Sequence, residues 1–280
     1  MTDSGKRRLR RAVVAVKQVP DTTQVKVNPE TGTLIREGVP FIVNPFDAHA
    51  LEEALRLRDR WECEVVAVTM GPPNSVLALR RCLALGADRA VLVSDRAFGG
   101  ADTLATSLVL AAAVRRVAAE WGRVDLVLCG KQTIDGDTAQ VGPGLATRLG
   151  WSQLTLVDRF LEVSSETGTL TVRRKLEGRR EVVRAPLPAV VTVVREINQP
   201  RYPTVPRRLE AEEAEIFVWD NGVLGLSPAR VGLKGSPTSV KRIFAPERRL
   251  GEIVGDGEAD PEGAVQELIR RLIERDVIAV

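Results

Sequence analysis

The sequence predicts an α/β fold: a doubly wound, mostly parallel sheet with added antiparallel hairpins. Short apolar runs rich in β-branched residues alternate with amphipathic helical patterns from about residue 12 to about residue 150. The runs are continuously apolar, which is typical of strands buried on both faces of a sheet. A chain of 280 residues that is 44% hydrophobic and 28% charged is long enough to bury such a core.

Each element of the alternation follows from a local pattern. The predicted core strands cover residues 12–16, 64–69, 90–93, 125–129 and 189–194. Helices are predicted from residue 44, over residues 75–85 and 103–121, and again from residue 145. Asp47 is predicted to cap the first helix, with Glu52 and Arg56 on its solvent-facing side. The loops that follow strands 12–16, 64–69 and 125–129 should converge on one crevice.

After Trp151 the pattern changes to short alternating segments. Residues 161–163, 169–173 and 181–184 predict antiparallel hairpins added to the sheet. Residues 198–206 predict an exposed, proline-rich loop, and residues 210–215 are acidic. The apolar face of a final amphipathic helix over residues 263–275 indicates docking on another subunit; folding back on the same chain is the alternative. That face is formed by Val265, Leu268, Ile269 and Leu272.

Composition argues against several classes of protein. The net charge is only +3, and the one dense basic run, residues 6–11, is expected to be a frayed tail, so no nucleic-acid partner is predicted. Without a signal-peptide core or an apolar run of membrane-spanning length, an integral membrane protein is not predicted and a cytoplasmic location is expected. The spacing of the three cysteines predicts neither disulfides nor a zinc site; Cys82 and Cys129 are expected to be buried, and Cys63 has a more polar context. The only histidine, His49, is predicted to lie on a helix surface, and no catalytic or metal-binding residues are predicted.

Residues 129–151 are where the sequence points to a ligand. A loop of small and polar residues follows an apolar strand and precedes a helix, so its backbone N–H groups and the helix dipole suit a phosphate. The loop contains neither a P-loop nor a G-x-G-x-x-G motif, and a structural loop is the alternative. Asp135 and Asp137 are open to two interpretations, a metal pair or turn-shaping residues with Asp137 and Gln140 capping the helix. Pro143 requires either a bend or a helix that begins nearer Gly142.

Six stretches of the sequence strongly resemble the β subunit of electron transfer flavoprotein, and together they span residues 12–208. They are VAVKQVPDT (14–22), VNPFDAHALEEALRL (43–57), VAVTMGPP (66–73), ALGADRAVLV (84–93), CGKQTIDGDTAQVGPGLA (129–146) and LPAVVTVVREINQPRYPT (187–204). The resemblance implies a Rossmann-like, adenine-nucleotide-binding core over residues 12–197, after a disordered tail at residues 1–11. It also implies that residues 198–280 supply a recognition loop and a C-terminal arm that docks on an α subunit carrying FAD.

The resemblance also implies which residues bind the cofactor and the partners. Asp102, Thr103 and Thr106 would face the flavin or its diphosphate, and Tyr202 and Val205 would contact a partner. The other implied cofactor-binding residues are Ala15, Lys17, Asn44, Pro45, Phe46, Asp47, Met70, Gly130, Gln132, Asp135, Gly136, Asp137, Thr138, Ala139, Gln140 and Val141.

Within the family, the pieces VPDT, GGADTLATS and DGDTAQVGP resemble the electron-bifurcating members. Classical members have a bulky aromatic residue where Thr22 stands, and a more acidic, proline-free version of the loop. The bifurcating type implies FAD in the β subunit, NADH as electron donor, and a dehydrogenase or quinone-linked acceptor together with a ferredoxin or flavodoxin. The alternatives are a classical β subunit that binds AMP and a stand-alone ATP-binding protein. The acidic residues 210–215 replace a basic stretch of the classical members, so the partner surface differs.

Overall fold

The computed structural model describes residues 9–21, 26–27, 34–35, 40–164, 166–239 and 251–279. Thr22, the turn predicted at Asn28–Pro29 and the first eight residues of the predicted tail lie outside the described residues. The chain divides into two compact units, residues 1–242 and 243–280, and each is described by itself.

The first unit contains thirteen strands among the described residues. In chain order they are β1 (Arg11–Ala15), β2 (Gln18–Pro20), β3 (Lys26–Val27), β4 (Leu34–Ile35), β5 (Phe41–Val43), β6 (Glu64–Met70), β7 (Arg89–Val93), β8 (Leu126–Gly130), β9 (Ser152–Ser164), β10 (Thr169–Leu176), β11 (Arg179–Pro186), β12 (Ala189–Val193) and β13 (Phe217–Trp219). Nine of them form one sheet in the order β11-β10-β9-β12-β8-β1-β6-β7-β13. The seven strands from β9 to β13 in that order are parallel, and β10 and β11 add the antiparallel pairs. The predicted fold class is therefore confirmed.

Helices cover both faces of the sheet, so the sheet is doubly wound. The helices of the first unit are α1 (Pro45–Trp61), α2 (Val76–Leu85), α3 (Thr103–Trp121), α4 (Val141–Leu149), α5 (Val205–Glu213) and α6 (Asn221–Leu224). Leu51 and Leu55 of α1 and Leu79 of α2 belong to the hydrophobic cluster on one face. Val109 of α3 and Leu145 of α4 belong to the cluster on the other. Because the central strands are covered on both faces, their continuous apolar runs are fully buried.

The helix ends agree with the sequence in α3 and differ from it in α1. Helix α3 has the predicted bounds, and the Asp102 carboxylate caps it by accepting the N–H groups of Leu104 and Ala105, each at 3.0 Å. Helix α1 begins at Pro45, so the prediction that Asp47 caps it was wrong; the N-cap residue is Asn44. The Glu52 side chain is buried and not on the solvent side, because it binds Arg201 of a later segment.

Helix α4 begins at Val141, close to where Pro143 required it to begin. Proline is tolerated there because an N–H in the first turn of a helix has no partner within the helix. The predicted capping by Asp137 and Gln140 was wrong: Gln140 makes no capping hydrogen bond, and the Asp137 carboxylate accepts from Gln132 Nε2 at 2.5 Å. A Cβ at Gly142 would lie 2.3 Å from Cγ2 of Thr192, so this glycine lets α4 approach the sheet closely.

Two further predictions need correction, and the structure also shows the environment of Cys63. Residues 9–11 are not part of a disordered tail, because Leu9 is buried and Arg11 begins β1 with its guanidinium bound to Glu64. Cys63 is buried despite its polar sequence neighbours, and burial raises the pKa of its thiol to about 11. The exposed loop predicted through residue 206 ends at Thr204, whose hydroxyl caps α5, so the acidic residues 210–213 are helical.

The second unit contains one described helix, α7 (Pro261–Glu274), which Asp260 caps. Val265, Leu268 and Ile269 lie on its predicted apolar face and are exposed within this unit. In the part of the chain that the structure describes, no helix is long and apolar enough to cross a membrane.

Replacing Leu55 with alanine should lower the free energy of unfolding by about 2–5 kcal/mol, because this fully buried side chain fills space between α1 and the sheet. Urea unfolding of the full-length chain measures the change. Leu77→Ala is the matched control, since Leu77 is also helical but is 64% exposed, and it should have little effect. Equal losses in the two variants would contradict the assignment of Leu55 to the core.

Candidate functional site

The candidate site lies where the order of the strands reverses. From β1 the chain continues outward to β6 and β7 on one side, then returns to β8 and later β12 on the other. The carboxyl ends of β8, β1 and β6 are therefore neighbours, as predicted from the three loops. Ligands of open α/β sheets bind in the crevice at such a switch point. Ala15 ends β1, Met70 ends β6, and Gly130 ends β8 at this crevice.

The loop after β8 supplies unpaired backbone donors. It turns through hydrogen bonds from the N–H groups of Asp137 and Thr138 to Thr133 and Gly136, and Ala139 adopts a left-handed conformation with φ 56°. The N–H groups of Val141 and Gly142, at the start of α4, have no acceptor among the described residues. Together with the positive end of the helix dipole, they form a site suited to a phosphate.

The start of α3 lies beside the start of α4. A Cβ at Gly144 would lie 2.8 Å from Oγ of Ser107, so the first turns of the two helices are in close contact. Thr103 and Thr106 are half-buried in the first turn of α3. The Asp102 carboxylate is occupied by the α3 cap and by the hydroxyl and N–H of Thr238, at 2.9 and 3.1 Å. Burial opposes ionisation of this carboxyl, yet these hydrogen bonds lower its pKa below the usual value.

An ion pair joins the segment after β1 to the loop after β8. Lys17 Nζ lies 2.8 and 2.7 Å from the two carboxylate oxygens of Asp135. Burial raises the pKa of Asp135, but the hydrogen bonds from Lys17 and Thr133 outweigh it, so the pKa lies below its usual value. Asp135 therefore pairs with a lysine, and Asp137 with Gln132. These contacts support the turn-shaping interpretation of the two carboxylates.

Asn44 is fully buried and contacts both loops. Its Nδ2 donates to the carbonyl oxygen of Gln132 at 2.9 Å, and its Oδ1 accepts the N–H of Ile134 at 3.2 Å. Its own backbone N–H donates to the carbonyl oxygen of Lys17 at 2.8 Å. Asn44 thus connects α1 to the residues that follow β1 and β8.

Asp47 also connects α1 to the chain after β1 and to the end of β8. Its two carboxylate oxygens accept the backbone N–H groups of Lys17 and Gly130, each at 2.8 Å, and the residue is only 4% exposed. Burial raises the pKa of Asp47 to about 7, although the two backbone donors favour the ionised form. A Cβ at Gly130 would lie 2.4 Å from Cβ of Phe46 and 2.6 Å from Oδ1 of Asp47, so only glycine allows this approach.

A cleft of about 670 Å³ is lined in part by residues of the same loop. Three predicted cofactor residues, Phe46, Gln132 and Asp137, line this cleft. The Phe46 ring lies between two cations, Lys131 Nζ at 5.2 Å and Arg195 Cζ at 4.6 Å from its centroid. Sequence reasoning did not assign Arg195 to the site, because no motif connects it with Phe46, so far away in the chain.

The remaining predicted residues lie elsewhere. Tyr202 and Val205 are 86% and 69% exposed, in the segment after β12 and at the start of α5. That segment is fixed by Arg201, whose guanidinium binds the carboxylates of Glu52 and Asp59. His49 is half-buried and not on the open helix surface, because its Nδ1 lies 2.9 Å from Oδ1 of Asn198.

The raised pKa of Asp47 predicts a pH-dependent stability. The folded protein binds the proton more tightly than the unfolded chain, so the contribution of Asp47 is largest below about pH 4 and declines as the pH rises towards 7. We therefore compare the unfolding free energy of the natural chain with that of Asp47→Asn. The value for the natural chain minus the value for the variant should decrease between pH 5 and pH 8. Urea unfolding at both pH values measures it. A difference that does not change with pH would show that Asp47 is ionised throughout.

The family model described as "Electron transfer flavoprotein domain" matches residues 31–223. Protein FixA of Azotobacter vinelandii is 45% identical over 264 residues, which cover 93% of this chain and 94% of that protein. The caffeyl-CoA reductase-Etf complex subunit CarD of Acetobacterium woodii is 47% identical over 269 residues, which cover 96% of this chain and 100% of CarD.

A third relative carries the family name itself. The electron transfer flavoprotein subunit beta of Clostridium acetobutylicum is 47% identical over 243 residues, covering 86% of this chain and 91% of that subunit. Identity at this level over nearly the whole length, together with the shared domain, confirms the resemblance found in the six motifs. The chain belongs to the β-subunit family of electron transfer flavoproteins, a family of electron-transfer proteins.

Proposed function

We propose that this chain is the β subunit of a cytoplasmic, heterodimeric electron transfer flavoprotein of the bifurcating type, and that it binds FAD. In this proposal the heterodimer takes electrons from NADH. It delivers them to two acceptors, a dehydrogenase or quinone-linked partner and a ferredoxin or flavodoxin. The alternative is a classical β subunit that binds AMP and carries electrons from dehydrogenases.

The observation that carries the proposal is the set of unpaired N–H groups at the start of α4, placed at the switch point of the sheet. Val141 and Gly142 present donors to an anion, while Lys17, which contacts the loop before them, is paired with the Asp135 carboxylate. Backbone donors and a helix dipole suit the phosphates of an adenine nucleotide without requiring a cation. The crevice residues therefore fit the diphosphate of FAD and also the phosphate of AMP.

The neighbouring helix favours the larger ligand. Ser107 of α3 lies against Gly144 of α4, which supports a role for Thr103 and Thr106, in the turn before Ser107, in a binding surface that extends beyond the phosphates. AMP would not need such an extension. The residues GGADTLATS at the start of α3 are also among those that resemble the bifurcating members.

In this proposal the chain binds, orients and shields the cofactor. Bound FAD would supply the capacity to accept a hydride and to release electrons singly. The ends of β1 and β6, at Ala15 and Met70, would enclose the adenine end. The unpaired N–H groups of Val141 and Gly142 would hold the diphosphate, because those of Gly136, Asp137 and Thr138 are already hydrogen-bonded within the loop. Lys17 and Asp135 would keep the loop beside it in place.

Two surfaces are proposed to contact other proteins. Tyr202 and Val205 are large, exposed side chains on a segment that Arg201 fixes to α1, which suits contact with a redox partner. The apolar face of α7, with Val265, Leu268 and Ile269, is proposed to dock on the α subunit. Apolar faces of this kind mark interaction sites on proteins.

Cofactor analysis of the purified α/β complex tests the proposal. Two FAD per heterodimer, and bleaching of the flavin spectrum by NADH, are the expected results. Acid extraction and chromatography of the released nucleotides measure the first, and anaerobic titration with NADH measures the second. One FAD and one AMP per heterodimer would favour the classical alternative, and a monomeric chain that binds ATP and no flavin would overturn both.

The docking role of α7 predicts a loss of assembly in Leu268→Glu. A carboxylate introduced into the apolar face would be desolvated at the interface, so the α subunit should co-purify with this variant in much lower yield. Leu77→Glu is the control, because Leu77 is exposed on α2 in the other unit. Unchanged co-purification of Leu268→Glu would argue against this face as the interface.

A further inference from the structure

Asn44 and Asp47 belong to the motif that the resemblance assigns to cofactor binding. The hydrogen-bonding groups of their side chains, however, are all occupied by other parts of the protein. Both oxygens of Asp47 accept backbone N–H groups, and both ends of the Asn44 amide bind backbone groups of the loop after β8. Asn44 is 0% exposed, so no polar atom of its side chain faces the crevice. Neither residue is therefore built to contact a ligand directly.

Asn44 and Asp47 bind backbone groups on the two sides of the crevice. We call these sides its two walls: one is the chain just after β1, and the other is the end of β8 with the loop that follows it. Asp47 joins the N–H of Lys17, just after β1, to the N–H of Gly130, at the end of β8. Asn44 joins the carbonyl oxygen of Lys17 to the backbone of Gln132 and Ile134. The contacts of Asn44 and Asp47, at the start of α1, therefore determine the distance between the two walls of the crevice.

We propose that Asn44 and Asp47 are positioning residues, which hold the two walls of the nucleotide crevice at a fixed separation without contacting the nucleotide. This inference rests on the proposed nucleotide site and deepens it. Gly130 is part of the same arrangement, since a side chain there would collide with Phe46 and with the Asp47 oxygen that accepts its N–H. A loop held in this way presents its remaining N–H groups already ordered, which lowers the entropy lost when a phosphate binds.

The arrangement also explains why a carboxylate is buried at this position. A neutral side chain of the same size, asparagine, accepts hydrogen bonds at only one of its two terminal atoms. Its amide nitrogen would face one of the two backbone N–H groups. Only a carboxylate accepts from both walls at once.

A matched control lies two turns further along the same helix. Glu53 is also buried, and burial raises the pKa of its carboxyl as well. Its carboxylate accepts from Asn198 and contacts neither wall of the crevice. Replacing Glu53 therefore tests the effect of losing a buried carboxylate of α1 without disturbing the crevice.

The experiment compares Asp47→Asn, Asn44→Ala and Glu53→Gln in the purified α/β complex. We expect the rate of nucleotide release, followed by the FAD or AMP that remains bound after gel filtration, to rise about tenfold in the first two variants. Amide hydrogen exchange should become faster at Lys17 and Gly130 in Asp47→Asn, and at Ile134 in Asn44→Ala. Glu53→Gln should lower the melting temperature but leave release and exchange in these peptides unchanged.

The outcomes separate the inference from the function on which it rests. If the natural complex holds neither FAD nor AMP in this chain, the proposed function fails. If it holds a nucleotide and Asp47→Asn releases it no faster than Glu53→Gln does, the nucleotide site stands and the positioning role is overturned. Should Asp47→Asn not fold, Asn44→Ala decides the question, because it leaves both Asp47 contacts in place.

Discussion

The buried carboxylate of Asp47 is the constraint on which the candidate site depends. It connects one helix to the carboxyl ends of the two strands that flank the switch point, through backbone N–H groups that have no strand partner there. Burial of an ionisable group carries a free-energy cost, which the two donors offset only in part, since the pKa is still raised. A less costly apolar residue at this position would leave two buried N–H groups unpaired.

Anion binding at this crevice would depend on the geometry of the backbone donors in the loop and at the start of α4. Lys17 is neutralised by Asp135, and Lys131 of the loop lies over the Phe46 ring. The backbone supplies the pair of N–H groups at the start of α4, with the helix dipole behind them. Such a site binds well only if the loop conformation is fixed, because the direction of each N–H group is determined by the orientation of its own peptide group. The contacts of Asn44 and Asp47 with the flanking strands meet this requirement.

The parts of the fold that the sequence predicted are those that local physics determines. Continuous apolar runs marked the buried strands, and Asp102 with the glycines before it marked the start of α3, because caps and burial are properties of neighbouring residues. Asp47 and Glu52 were misjudged because their environments are built by distant segments. The composition of the loop after β8 predicted a phosphate site. The contacts by which α1 holds this loop could not be predicted, because Lys17 and Gly130 are far apart in the sequence and meet only in the folded chain.

Helix α1 also holds a second surface in place, the exposed segment that carries Tyr202 and Val205. Glu52 faces away from the crevice, is buried, and binds the guanidinium of Arg201 at 2.9 Å. Arg56 pairs with the same carboxylate at 3.1 Å, so moving the segment that carries Tyr202 away from α1 would remove one of the two cationic partners of a buried charge. Asn198 adds hydrogen bonds to the same helix, at His49 and Glu53. One helix therefore fixes both the crevice loops and the exposed segment. A change in its position would be transmitted to the proposed cofactor site and to the proposed partner surface together.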